Sequence, residues 1–221
     1  MTSIFKVPLF SAETAGQGLG LPGVLRAVID SQRYVLGTQV LAFEAAFAAY
    51  VGVRHAIGVA NGTDALEIAL RSLGVKPGEG VVTVANAGFY GSTAIRAIGA
   101  QPLYVDVDEY TLNLSPSALA QVLSTKPVKA VIATHLYGQL ADMAAITDLC
   151  RAAGVALIED CAQAHGARRA GRLAGAWGDV ACFSFYPTKN LGALGDGGAV
   201  VTDNAELANR VRALRQYGWG N

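Results

Sequence analysis

Lysine is rarely kept from water without a purpose. Lys189 lies in Phe183-Ser184-Phe185-Tyr186-Pro187-Thr188-Lys189-Asn190-Leu191-Gly192, an aromatic run leading into Gly195, Gly197 and Gly198. A sheltered amine with a free lone pair suits attack on a carbonyl to form a Schiff base. Ser184, five residues earlier, could turn its hydroxyl toward a phosphate beside that amine. The same residues also read as an exposed loop lysine among structural glycines, and composition leaves both readings open.

Two further segments carry candidate chemistry. In VALIEDCAQAHG, 155–166, an apolar run ends in Glu159-Asp160. This puts a carboxylate at the C-terminal rim of a parallel sheet, where open α/β folds hold ligands. Such an acid could meet a protonated ring nitrogen, a metal or a ribose hydroxyl, or simply bond to the following turn. Glu159, Cys161 and His165 match no standard zinc spacing, and no metal is expected. His135 also follows an apolar strand, with Tyr137 and Gln139 beside it, and is expected to be packed or hydrogen-bonded. Asn61-Gly62-Thr63 sits at a strand-to-helix junction, where free N–H groups and the helix dipole favour a phosphate. The simpler reading is a glycine turn followed by a Thr63 cap.

Short β-like runs alternate with helical ones, the pattern of stacked βαβ units and an α/β fold. Strands are expected at 55–60, 81–85, 102–106, 128–134, 155–159, 180–185 and 198–202. Helices are expected at 39–50, 63–73, 91–98, 115–123, 142–153 and 204–217. In the first, Val40, Phe43, Phe47 and Tyr50 share one face. The last opens on Asp203 with Glu206 three residues on, a capping-box spacing. Residues 16–22 and 168–178, rich in Gly, Pro or small residues, read as linkers too short to divide domains. No repeat or low-complexity segment interrupts the order.

The chain has 221 residues, enough for one large domain or a domain plus a fragment at roughly 150 residues per domain. Its 17 Lys and Arg balance 17 Asp and Glu, which argues against a phosphate-backbone partner, so no nucleic acid is expected. Hydrophobic residues make up 52% and charged residues 15%, far from the composition of a disordered chain. No apolar run approaches the roughly 20 residues of a membrane span, and the first ten residues show no secretory pattern. The three cysteines lack CxxC spacing and read as buried thiols. A cytoplasmic α/β protein is the expectation.

NGTDAL, EDCAQAHGA and SFYPTKNLGALGDGGAVVT together resemble the DegT/DnrJ/EryC1/StrS family of pyridoxal-phosphate-dependent nucleotide-sugar aminotransferases, over a stretch from about Pro8 to the last residue. The resemblance implies the aspartate aminotransferase fold (fold type I), whose large domain has a mainly parallel seven-stranded sheet flanked by helices. It implies that Lys189 forms the Schiff base with pyridoxal 5′-phosphate, that Asp160 pairs with the pyridine nitrogen, and that Gln163 bonds the ring's phenolic oxygen. Gly62, Thr63 and Ser184 would hold the phosphate. An ungapped count puts Gly88 where the family shows an aromatic on the cofactor face; Phe89 is expected to stack there, with Tyr90 next to it.

The implied reaction moves an amino group from a donor such as glutamate to a keto group of a nucleotide-linked deoxysugar, in a homodimer. Family members continue into a smaller C-terminal domain. Residues 1–221 are therefore expected to be an N-terminal segment plus the cofactor-binding large domain, with part of the substrate pocket missing and transfer by these residues alone nearly absent. The alternative is a truncated, inactive cofactor-binding or regulatory module. A sugar dehydratase of the same family would show His in place of Lys189, and a Rossmann dehydrogenase would need a GxGxxG after its first strand.

Overall fold

A computed structural model describes residues 10–11 and 16–218. The expectations placed on residues 1–9 and 219–221 lie outside it. The chain divides into two units, Met1–Ala42 and Phe43–Asn221. The first contains helix α1, Leu21–Ser31, none of whose residues is buried. Pro22 occupies its first turn, and Gly20 precedes it at φ 59°. Pro belongs there, because the first-turn N–H has no intrahelical acceptor anyway and the ring presets φ. The Gly-Pro run read as a linker is thus in part a helix start. Helix α2, Thr38–Val51, follows.

The second unit is an α/β sandwich. In chain order its elements are β1 His55–Val59, α3 Gly62–Ser72, β2 Gly80–Val84, α4 Tyr90–Ala97, β3 Gln101–Val105, α5 Pro116–Thr125 and β4 Ala130–Thr134. Then come α6 Met143–Ala153, β5 Ala156–Asp160, a two-residue hairpin β6 Arg168–Arg169 and β7 Arg172–Leu173, β8 Val180–Ser184, β9 Gly198–Thr202 and α7 Ala205–Arg215. The main sheet has seven strands in the order β1-β9-β8-β5-β4-β2-β3. Five neighbours, β3, β2, β4, β5 and β8, pair parallel. β9 pairs antiparallel with both β8 and β1, so six strands point one way and β9 alone is reversed. This is the mainly parallel seven-stranded sheet that the motifs imply. The hairpin within 168–178 is an addition to the expected loop.

Both faces of the sheet are covered, which is why its strands are continuous apolar runs. On β4, Val131 and Ala133 face one core with α2, α5 and α6 residues such as Phe47, Leu119 and Ile146. Ala130 and Ile132 face the other, with Leu66 and Leu70 of α3, Ile95 of α4 and Val211 of α7. The expected face of α2 is shifted. Glu44, Phe47, Ala48 and Val51 are its buried residues, while Phe43 and Tyr50 are exposed. Helix α7 is capped by Asn204, whose Oδ1 accepts from Glu206 N and Leu207 N at 2.9 and 3.2 Å. Asp203 instead accepts from Arg54 N at 2.9 Å. Among the described residues no helix is long and apolar enough to cross a membrane.

Candidate active site

The parallel strands deliver their C-terminal ends to one rim. β5 ends on Asp160 and β8 on Ser184, while β1 leads through Asn61 into α3. Because β9 runs backwards, its first residue, Gly198, reaches the same rim opposite Ser184 and Val59. A cavity of about 570 Å³ opens there, lined among others by Gly62, Thr63, Tyr90, Asp160, Ser184 and Lys189. Residues from distant parts of the chain thus meet in one hollow at the rim where α/β folds hold ligands.

One wall is the start of α3. Asn61 is its N-cap: its Oδ1 accepts from Asp64 N at 2.9 Å, and its amide donates to Asp64 Oδ2 at 3.1 Å. That reciprocal pair settles the third N–H of the helix and leaves those of Gly62 and Thr63, which by helix geometry have no acceptor within it. Gly62 is required by packing, since a Cβ there would come 2.6 Å from Ser184 Cβ. Without one, the helix start lies directly against the end of β8, and free N–H groups, the Thr63 side chain and the Ser184 hydroxyl face one hollow. Such a set suits an anion.

Asp160 is 5% exposed. Its Oδ1 accepts from Ala162 N at 3.2 Å, and its Oδ2 from Thr134 Oγ1 at 3.4 Å. Burial pushes its carboxyl above the ordinary range, against the Ala162 bond, the electrostatic pull of His135 and of Lys189, and the Thr134 bond. A carboxylate held so is under-satisfied, and a cationic N–H from a ligand would relieve it.

Lys189 sits in the loop that follows β8, with its N–H donating to Tyr186 O at 2.8 Å. The neck of the loop is closed by Phe185 N to Gly197 O and Ala193 N to Phe185 O, both 2.7 Å. Gly192 folds under it, where a Cβ would approach Pro187 O to 2.5 Å. The aromatic residues of the motif stand behind. Phe183 and Phe185 pack edge-on against Phe47, with centroids at 4.9 and 5.2 Å. His165 lies 5.4 Å from Phe183, and its imidazole is held below the usual range by burial.

Gln163 and Phe89 do not line this cavity. Gln163 lines an adjoining one of about 470 Å³ with Tyr137, Gly138 and Asn190; Thr188 and Lys189 border both. Its Oε1 accepts from Tyr137 N at 3.2 Å. Phe89 precedes α4 at φ 65° and is 65% exposed, while Tyr90 supplies the ring at the cavity. The positive φ turns the chain between the two residues, and no turn signal in the sequence is specific enough to tell which ring faces in. Asp64 and Asp196 also line the cavity and were not singled out from the sequence. Asp196 stands within the glycine run that follows Lys189, and that proximity was the available signal.

His135 is fully buried and bonded to Glu159, 3.0 Å from Nε2 to Oε2. These two and Cys161 bring their donor atoms within 4.8 Å of one another; His165 is not in that group. All three cysteines are free and buried.

The mainly parallel seven-stranded sheet, with helices on both faces and a lysine, a buried aspartate and a helix start at its C-terminal rim, has the fold type I aminotransferase architecture. The profile of the DegT/DnrJ/EryC1/StrS aminotransferase family matches residues 22–221, and the chain belongs to that family. It is 48% identical over 196 residues to a dTDP-3-amino-3,4,6-trideoxy-alpha-D-glucose transaminase of Micromonospora megalomicea subsp. nigra, covering 88% of this chain and 52% of that protein. The crystal structure of DesV from S. venezuelae, in complex with a ketimine intermediate, superposes with a TM-score of 0.94 at 44% identity, over 98% of this chain and 58% of that one. NtdA from Bacillus subtilis, with bound cofactor PMP, gives 0.86 at 30% identity, over 96% and 48%. The chain spans about half the length of the curated relatives it matches.

Proposed function

We propose that this chain carries the cofactor site of a pyridoxal-phosphate-dependent enzyme, one that transfers an amino group from a donor such as glutamate to the keto group of a nucleotide-linked deoxysugar. The observation that carries the reading is the single cavity shared by Gly62, Thr63, Asp160, Ser184 and Lys189. Those residues fit pyridoxal phosphate group by group. The α3 start and the Ser184 hydroxyl suit the phosphate, the under-satisfied Asp160 suits a protonated ring nitrogen, and the Lys189 amine suits the aldehyde. Tyr90 is the ring available to the cofactor face, and Gln163 is placed next to Lys189 for the phenolic oxygen.

When bound, the cofactor supplies a carbonyl for the amine and a ring that draws electrons from the carbon next to it. The protein's residues do the rest. Asp160 keeps the ring nitrogen protonated by offering a buried carboxylate that gains from the charge. The Lys189 amine holds the cofactor at rest and, once released, moves the proton at the donor's α-carbon. Gly62, Thr63 and Ser184 fix the phosphate, so that this amine stays aligned with the reacting carbon.

On this reading residues 1–221 are the N-terminal segment and large domain, acting in the cytoplasm. The exposed rings at the rim, Phe89, Tyr137 and Tyr186, support a homodimer in which a second copy covers them. Incubating the chain with pyridoxal phosphate, reducing with borohydride and mapping the peptides tests the site. The pyridoxyl group is expected on Lys189. A label on Lys6, Lys76, Lys126 or Lys129 instead, or none, overturns the reading.

A further inference from the structure

Directly behind Asp160 lies a polar cluster that the proposed chemistry does not use. Glu159 and His135 are both 0% exposed. Every acceptor position of the Glu159 carboxylate is engaged. Its Oε1 takes N–H bonds from Trp177 at 2.7 Å and Gly178 at 2.9 Å, and its Oε2 takes one from Gly175 at 3.0 Å. The fourth partner is His135 Nε2 at 3.0 Å. Ala141 N donates to His135 Nδ1 at 3.3 Å, which leaves the ring proton on Nε2, directed at Glu159. Burial pushes the Glu159 carboxyl up, but the His135 bond and the electrostatic pull of that ring, with the bonds from Gly175 and Gly178, outweigh it and hold it below the usual range. Glu159 is therefore an ionised carboxylate sealed in the interior.

Such a group is costly unless fully bonded, and an apolar pair of the same shape would stabilise the fold as well or better. Its yield here is position. His135 N donates to Asp160 O at 3.0 Å, and the neighbouring Thr134 donates from Oγ1 to Asp160 Oδ2 at 3.4 Å. The cluster thus fastens the end of β4, the end of β5 and the 175–178 turn to one another at the residue preceding Asp160. The Cys161 thiol beside His135 and Glu159 is held well above its usual range by burial, with the charges of Glu159 and Asp160 adding to it.

We infer that His135 and Glu159 are positioning residues for Asp160. They lock the strand end that sets the direction of its carboxylate, and through it they tune the grip on the ring nitrogen. The inference rests on the reading of Asp160 given above, and a double-mutant cycle separates the two. Pyridoxal phosphate affinity is measured by absorbance for wild type, His135→Leu, Glu159→Gln and Asp160→Asn and for each of the first two combined with Asp160→Asn. Visible circular dichroism of the bound cofactor is recorded alongside as a report of its pose.

His135→Leu or Glu159→Gln is expected to raise Kd about tenfold when Asp160 is present, but less than about twofold in the Asp160→Asn background. His135→Gln, which keeps a donor for Glu159, is expected to return Kd and the dichroic band close to wild type. It serves as the test if His135→Leu does not fold. Equal losses in both backgrounds, or a Gln variant as impaired as the Leu variant, would mean general support of the fold and overturn the inference while leaving the reading of Asp160 intact. A wild-type chain that binds no pyridoxal phosphate overturns both.

Discussion

Asp160 shows how a residue proposed to hold the cofactor is set against stability. Its carboxyl lies above the 3.8 of an ordinary aspartate because burial disfavours the charged form. In the unfolded chain it has the ordinary value, so the folded state holds this proton more tightly. Stability from this group is therefore complete below about pH 3.8 and is lost as pH rises through the folded value. As pH rises above that value the cofactor-free protein carries a growing penalty from this group. Asp160→Asn, which keeps an acceptor for Ala162 N, is expected to raise the Tm of the cofactor-free chain at pH 7. The gain should be on the order of 1 kcal/mol, or roughly 2–4 °C for a chain of this size, and should shrink toward pH 4. Pyridoxal phosphate should reverse the order of the two proteins, since it stabilises the form that binds it better. A variant less stable than wild type at pH 7 without cofactor would contradict this account. That Asp160, Ser184 and Lys189 meet at one cavity was legible in the sequence because each ends or follows an apolar run in an unusual motif. The side chain chosen between Phe89 and Tyr90 was not, because one backbone torsion decides it.

At the level of elements, the sequence carried nearly every strand and helix to within a residue or two, since buried parallel strands and capped helices leave strong local marks. Helix α1 does carry an apolar stripe, Leu21, Val24, Leu25, Val28 and Ile29, but the Gly-Pro run at its start led to a linker reading, and none of its residues is buried. The other misses had non-local causes. The α2 face was misread because nearly all its residues are apolar; the one buried acid, Glu44, marks the true inward face. Glu44 is paid for by a long-range tie that no window of sequence could show. Its Oε1 accepts from Gly58 N at 2.8 Å and from Arg215 Nη1 at 2.6 Å, and Arg215 also reaches Gly58 O at 3.1 Å. The pair joins α2, β1 and α7 with side chains only 15% and 10% exposed. Arg215→Met keeps most of the apolar stem but leaves Glu44 without its counter-charge. Loss of one partner from such a pair costs about 3 kcal/mol. Urea unfolding should show a lower midpoint with an unchanged slope, and a midpoint equal to wild type would mean that the pair contributes nothing net.

Across the whole molecule, the two cores on either side of the sheet decide how the protein opens. Cys150 and Cys161 belong to one core and Cys182 to the other. Burial, with the Asp179 charge added, pushes the Cys150 thiol up to about 12. Burial drives Cys161 and Cys182 well above the ordinary value too, with the charges of Glu159 and Asp160 adding to it. Reaction with a disulfide reagent needs both access and thiolate, and the native state denies both at all three positions. Labelling therefore has to wait for opening of the sheet layers. Because both cores pack on the same strands, Cys150 and Cys182 should become reactive in one cooperative step. In native buffer at pH 8 all three thiols are expected to resist such a reagent over minutes, and in denaturant all three should react at once. Across a urea series, the labelling rates of Cys150 and Cys182, resolved by peptide mass, should rise together and follow the global unfolding constant. Fast labelling of Cys150 alone in native buffer would show that the α6 layer opens separately, and the description of the two cores as one cooperative unit would then fail.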